Sequence, residues 1–353
     1  MRITVMRLFG ASAVILLTII IAAERRAAAE STLTIMSYGG AYQESQRVYY
    51  DGFSAATKTK VTVESADEAW PKVKAMIEAG KVTWDVVQGE TSTIVENCEN
   101  GNLEPFDWSL LDKSKFVPIA VQECGVGTII SASVIAYDAD RIKSNPPTTV
   151  ADFWDLKKYP GKRGMRKKAI TTLEFALIAD GVPHTDVYKV LRTEEGVQRA
   201  FRKLDAIKSN VVWWESSSSA PQLLGSGEVA MTTAWNGRIT TARREEGKNF
   251  VIIWDGQNYD GDFFAVVKGT PNKALAMKFI AFASQPQLQA EQSKKIFYGP
   301  TLKDTLGLIP AERVEDLPTA EQNLRTAVAN DARFWAENSE ELESRFVAWL
   351  NAN

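Results

Sequence analysis

Beyond position 31 the sequence alternates strand-like with helix-like stretches, and that order restricts the chain to an α/β architecture. Residues 33–38 (LTIMSY) read as a strand that stops at Gly39-Gly40, and 42–57 reads as a helix. Residues 60–64 (KVTVE) alternate as a strand. The helix predicted over 70–79 tolerates Pro71 in its first turn, and 84–88 (WDVVQ) reads as a buried strand. A further helix starts near Thr91-Ser92 and stops at Gly101. Three strand–helix units of this kind imply a parallel or mixed, doubly wound sheet with helices on both faces.

The middle of the chain leaves this first unit. Residues 127–137 (GTIISASVIAY) form a β-rich run without a breaker, longer than a mean strand of about 5–6 residues, and suited to a hinge strand. The loop 145–149 (NPPTT) caps a helix over 150–156. A second α/β set follows: helices at 171–179 and 194–207, a strand at 210–214, a helix at 221–224, and strands at 229–233 and 250–254. Residues 263–267 (FFAVV) read as a return crossing. Two α/β lobes joined by more than one crossing enclose a cleft at a hinge. The carboxyl part is helical over 271–283 and 331–350, with Trp335, Leu342, Phe346 and Leu350 expected in the core.

At 353 residues the chain exceeds what one core usually supports. Arg2 and Arg7, the 13-residue apolar run 11–23 and Ala27-Ala28-Ala29 together read as a cleavable export signal over 1–29. Four basic residues and one acidic residue precede position 30, so the net charge falls from -3 to about -6 after cleavage. An acidic chain without a long basic run argues against a nucleic-acid partner. Export also favours a disulfide between Cys98 and Cys124, the only two cysteines, whose loop would stabilise the fold by about 3 kcal/mol.

Chemistry-bearing residues gather in the stretch 229–238 (VAMTTAWNGR) and in an acidic turn expected at Tyr259-Asp260-Gly261-Asp262. Strand ends of open α/β sheets hold ligands. An Arg238 guanidinium there can grip a carboxylate bidentately, and the face of Trp235 can hold a cation. The alternative is a core tryptophan beside a solvated arginine. Catalytic signatures are missing: no GxSxG elbow, no Walker A loop, and a single histidine, His184, which makes a zinc site or a Ser-His-Asp triad improbable. No enzyme activity, cofactor or metal is expected. Tyr49-Tyr50 is read as packing rather than as an iron site.

Four motifs together carry a family resemblance: Ser37-Tyr38-Gly39-Gly40 after the first strand, Val212-Trp213-Trp214 before a serine run, Trp235-Asn236-Gly237-Arg238, and Tyr298-Gly299-Pro300-Thr301. In these the chain resembles the spermidine/putrescine branch of periplasmic solute-binding proteins, the receptors of ABC transporters, over about residues 30–350. The resemblance implies a two-lobe, type II periplasmic-binding-protein fold with the ligand cleft at the hinge. Its lobes would be 30–136 plus 263–308, and 137–262 plus 309–353. It further implies a monomer in the periplasm that closes on a small amine-bearing solute and delivers it to a membrane permease. Where a polyamine receptor of this type is expected to carry a second acidic cluster, this chain reads Arg166-Lys167-Lys168. The Trp-Asn-Gly-Arg motif followed by an acidic residue resembles receptors for γ-aminobutyrate and related ω-amino acids, with a polyamine receptor as the alternative. On that reading Arg238 takes the ligand carboxylate and Asp260 or Asp262 its ammonium. Tyr38 with Gly39, Trp214, Trp235 and Tyr298 wall the chain between, and Glu90 and Thr91 complete the clasp.

Overall fold

The computed structural model describes residues 31–66 and 69–352, and the export signal read from residues 1–29 lies outside the described residues. Eleven strands of the described residues form one mixed sheet. They are β1 Thr32–Ser37, β2 Lys60–Ser65, β3 Val86–Glu90, β4 Leu103–Glu104, β5 Gly125–Asp138, β6 Arg163–Arg166, β7 Val211–Trp214, β8 Met231–Trp235, β9 Phe250–Val267, β10 Gly299–Pro300 and β11 Val328–Ala329. Their spatial order is β2-β1-β3-β9-β5-β8-β6-β7, with β10 on β5 and with β4 and β11 on β9. The outer blocks, β1 to β3 and β6 to β8, are each parallel inside, as helical crossovers between successive strands require. β5 and β9 run antiparallel to each other and to the blocks they join.

β5 and β9 are 14 and 18 residues long. At about 3.3 Å per residue each passes through two separate sets of core side chains. One set contains Leu33, Ile35, Tyr49, Phe53, Val86, Phe264 and Phe279, backed across the sheet by Met36, Val73, Trp84 and Phe263. The other contains Ile135, Val150, Phe153, Met165, Leu173, Trp335 and Phe346, backed by Val134, Trp214, Leu224 and Ile239. The last helix, Ala332–Asn351, belongs to the second set. Its cap, Asp331, accepts the Phe334 N–H at 3.0 Å, Trp335, Leu342 and Phe346 are buried, and Leu350 is half-buried.

Four local expectations give way to tertiary context. Residues 259–262 are not a turn: they continue β9, so the strands expected at 250–254 and 263–267 are one. The turn propensity of Asn-Tyr-Asp-Gly-Asp loses to pairing on both edges, with Asp260 opposite Ser131 and Asp262 opposite Ile129 on one side and Glu90 on the other. The helix expected over 42–57 breaks at Gln46 into Gly40–Ser45 and Arg47–Thr57. There the buried Gln46 side-chain oxygen Oε1 accepts from the Tyr50 hydroxyl and the Gln88 side-chain amide, each at 2.6 Å. The strand expected at 229–233 sits two residues later, which makes Trp235 its last residue. The helix Pro286–Lys295 was not anticipated, although Pro286 opens it in the usual first-turn place. Tyr49 and Tyr50 are buried in the core, and the Tyr49 hydroxyl donates to Gln292.

Cys98 and Cys124 form a disulfide with Cα atoms 5.6 Å apart, tying the helix Thr91–Glu99 to the segment entering β5. Replacing both by serine should lower unfolding free energy by about 3 kcal/mol, as measured by urea titration. Deep in the second core, Glu174 accepts from the Tyr188 hydroxyl at 2.8 Å and from the Trp335 indole at 2.7 Å, while its other oxygen has no partner. Burial pushes its pKa up to about 7, so the folded state holds it protonated where the unfolded chain, near 4.3, does not. Stability from this group is therefore complete below about pH 4 and is lost as pH rises towards 7. Glu174→Gln should raise the thermal midpoint at pH 8 and change it little at pH 5.

Candidate functional site

Where β9 leaves the first core, it presents Asp260 and Asp262, two residues apart, a spacing that turns both carboxyls toward one face. Glu90, the last residue of β3, stands directly opposite Asp262 in the antiparallel ladder. Thr91 follows as the first residue of the helix Thr91–Glu99 and is fully buried. Its hydroxyl donates to Asp260, which also accepts from the Gly261 N–H at 2.7 Å and the Asn330 amide at 3.1 Å. Asp260 is thus held by the fold. Asp262 is 8% exposed and accepts no side-chain hydrogen bond from any described residue.

Burial is the main reason both carboxyls titrate high. Asp260 is raised to about 7 by desolvation and then by Glu90, against the hydrogen bonds that favour its ionised form. Asp262 is pushed well above the usual carboxylate range by desolvation, then by Glu90 and Asp260. Three tyrosines surround it. The Tyr38 phenol is raised by burial and then by the charges of Asp262, Glu90 and Asp260. Tyr42 and Tyr298 are raised by burial and then by Asp262. The rings of Tyr38 and Tyr42 meet edge to face with centroids 5.6 Å apart, and Tyr42 and Tyr298 pack with Ile129 and Ile296. Gly39 takes φ +73°, the left-handed backbone that turns the chain from β1 into the helix Gly40–Ser45 behind Tyr38.

From the other side comes the helix Asn236–Glu245, which starts where β8 ends. Asn236 is fully buried: its amide donates to the Phe297 carbonyl at 2.6 Å, and its oxygen accepts the Ala132 N–H at 3.0 Å. One side chain thereby ties the helix to β5 and to the segment carrying Tyr298. Gly237 lets the Tyr298 ring lie against the helix, because a Cβ there would stand 2.6 Å from a ring carbon. Arg238 follows, exposed and in no ion pair with a described residue, and its charge pulls the Tyr298 phenol down. Tyr42, Gly237, Arg238 and Tyr298 line one cavity of about 520 Å³.

The structure thus brings together Tyr38, Glu90, Thr91, Arg238, Asp260, Asp262 and Tyr298. Trp235 ends β8 half-buried, with the Arg166 guanidinium 5.3 Å from its ring centre. Trp214 is 4% exposed and belongs to the core with Ala220, Leu224 and Ile239. Sequence reasoning missed Tyr42, which lies in the helix Gly40–Ser45, four residues after Tyr38 in the stretch Tyr-Gly-Gly-Ala-Tyr. It also missed Asn330, which carries no motif and reaches Asp260 only through the fold. A larger cavity of about 1020 Å³ lies against the disulfide and includes Ile94, Tyr259 and Asn330, but none of Tyr38, Asp262 or Arg238. The smaller one is lined by Arg238 but not by Glu90, Asp260 or Asp262, and the larger one is lined by Thr91.

Residues 49–321 match the family model described as bacterial extracellular solute-binding protein. The gamma-aminobutyric acid-binding protein of Pseudomonas aeruginosa is 48% identical over 324 residues, covering 91% of this chain and 92% of that protein. The solved Atu4243-GABA receptor superimposes with a TM-score of 0.83 at 34% identity, covering 92% of this chain and 98% of that one. Spermidine/putrescine-binding periplasmic protein 1 of Haemophilus influenzae is 23% identical over 279 residues, 75% of each chain. These relatives are solute-binding proteins, and their structures share the two-lobe, type II periplasmic-binding-protein fold built here around β5 and β9. The chain belongs to the bacterial extracellular solute-binding protein family.

Proposed function

We propose that this protein is the periplasmic receptor of an ABC transporter and that it captures γ-aminobutyrate or a closely related ω-amino acid. The observation that carries this reading is that charges of both signs meet at Tyr298: burial, then Asp262 and Glu90, push its phenol up, and Arg238, in no ion pair with a described residue, pulls it down. A ligand with one ammonium and one carboxylate satisfies both poles. The ammonium meets Asp262, the carboxylate meets Arg238 near the amino-terminal end of the helix Asn236–Glu245, and Tyr38, Tyr42 and Tyr298 cover the methylenes between them. The 48% identity to a gamma-aminobutyric acid-binding protein supports the same ligand.

Capture requires no bond chemistry. The ligand binds one lobe in an open form, β5 and β9 bend, and the closed form is recognised by the permease. Asp260, locked by Thr91, Gly261 and Asn330, acts as a fixed part of the pocket floor, and Glu90 adds a second carboxylate beside Asp262. The three carboxylates also suit a polyamine, the second reading, but Arg238 would then face an ammonium across the tyrosines.

Arg238→Ala should weaken γ-aminobutyrate binding about ten- to hundredfold, the loss of a charged hydrogen bond of roughly 1.5–3 kcal/mol, as measured by calorimetry. A polyamine receptor would keep its putrescine affinity in that variant. Gly237→Ala should displace Tyr298 and weaken binding about tenfold, since overpacking of this kind costs about 1–3 kcal/mol. Gly307→Ala, where an added Cβ meets nothing within 4 Å, is the control and should bind normally.

A further inference from the structure

We propose that the empty site retains a proton on the pair Asp260 and Asp262 beside Glu90, and that the ligand's ammonium displaces it, so that capture of an ω-amino acid releases a proton to the solvent. This rests on the reading of the site as an ammonium–carboxylate clasp. It assigns Glu90 a specific part: its charge adds to the effect of burial in making Asp262 keep a proton until a cation arrives.

The geometry comes first. Glu90 and Asp262 are direct partners across the β3–β9 ladder, where opposed side chains start from Cβ atoms about 4.5–5.5 Å apart. Asp260 lies two residues away on β9. Asp260 and Asp262 are 5% and 8% exposed, Glu90 is half-buried, and none of the three forms an ion pair with a described residue. The groups facing them are mostly neutral. Tyr38 comes from the loop after β1, Tyr42 from the helix Gly40–Ser45, Thr91 from the helix Thr91–Glu99, Tyr298 from the segment before β10, and Asn330 from the residue after β11. The cation in the neighbourhood, Arg238, bears on Tyr298.

Three like charges brought this close in so little water do not all ionise; the cluster shares its protons as a unit. Burial followed by the charge of Glu90 raises both aspartates, Asp260 to about 7 and Asp262 well above its ordinary range. An arriving ammonium reverses the balance, because it supplies the opposite charge that the fold withholds, and the carboxyl proton passes to buffer. The ligand itself does not titrate in this window: an alkyl ammonium gives up its proton near 10.4 and a side-chain carboxyl near 4.3.

The sign of the linkage follows. The empty cluster binds more protons than the occupied one, so affinity rises with pH up to the cluster's titration and levels off above it. Below about pH 7, each unit of acidification should weaken γ-aminobutyrate binding by up to about tenfold. A site whose carboxylates are already ionised shows no such slope.

The test is calorimetric titration of the protein with γ-aminobutyrate at pH 6.5 in two buffers, phosphate and Tris, whose ionisation heats differ widely. The account expects an observed heat that changes with buffer by an amount corresponding to roughly 0.5–1 proton released. Glu90→Gln should cut that release by at least half and flatten the pH dependence of affinity. The same heat in both buffers overturns the proton exchange while leaving the γ-aminobutyrate reading intact. No binding heat in either buffer overturns that reading, and the exchange falls with it. Undiminished release in Glu90→Gln overturns the part given to Glu90.

Discussion

The antiparallel ladder between β5 and β9 is the constraint on which the molecule depends. It runs from Gly125 opposite Ala265 to Asp138 opposite Phe250, and both cores are built on it. Because each strand belongs to both halves, the halves have no independent sheets. Any change in their relative position must be taken up where the ladder passes between the cores, and its register shifts between Gly127 and Ile129 and between Ser133 and Ile135 mark irregular points there. The same stretch of β9 carries Asp260 and Asp262. The groups that would sense a ligand therefore sit on the elements that would have to bend.

Around this crossing the fold spends polar side chains on position and leaves a few free for recognition. Asn236 looks like a binding residue in sequence, yet both ends of its amide are used to fasten the helix Asn236–Glu245 to β5 and to the Tyr298 segment. Thr91 and Asn330 do the same for Asp260. Among the described residues, the side chains of Asp262, Glu90 and Arg238 have no bonding partner, and the phenols of Tyr38, Tyr42 and Tyr298 feel the charge of Asp262. The Tyr42 hydroxyl is buried and without a partner, a cost that a ligand group in the cavity would offset. Unlike charges held apart by aromatic walls define a ligand by length and by the sign of its ends.

Much of this was legible in the sequence, and what was not has a physical cause. The strand and helix order, the long β5 and the last helix follow from local pattern: the loop 145–149 caps the next helix as expected, through a capping box of Thr149 and Asp152, and Asp331 caps the final helix. Arg238, Asp260, Asp262, Glu90 and Tyr38 stand out in the sequence by strand ends and motif resemblance. Asp260 and Asp262 were placed in a turn because Asp and Gly favour turns locally, whereas pairing with both β3 and β5 decides the matter. Trp214, a wall by motif resemblance, is buried with Ala220, Leu224 and Ile239, a packing that no local pattern announces. Tyr42 and Asn330 are brought to the site by chain folding alone, one through a helix that breaks at Gln46 and the other from the far end of the chain, and no spacing rule marks either.

The central claim, that two opposite charges select a ligand with one of each, is tested most directly by a calorimetric series on the unaltered protein: γ-aminobutyrate, butylamine, butyrate and putrescine. The first carries both charges, the second and third one each, and the last two of the same sign. The account predicts tight binding of γ-aminobutyrate and a loss of about ten- to hundredfold or more for each of the others. Putrescine or butylamine binding as tightly as γ-aminobutyrate would contradict it, because Arg238 would then have no part in recognition.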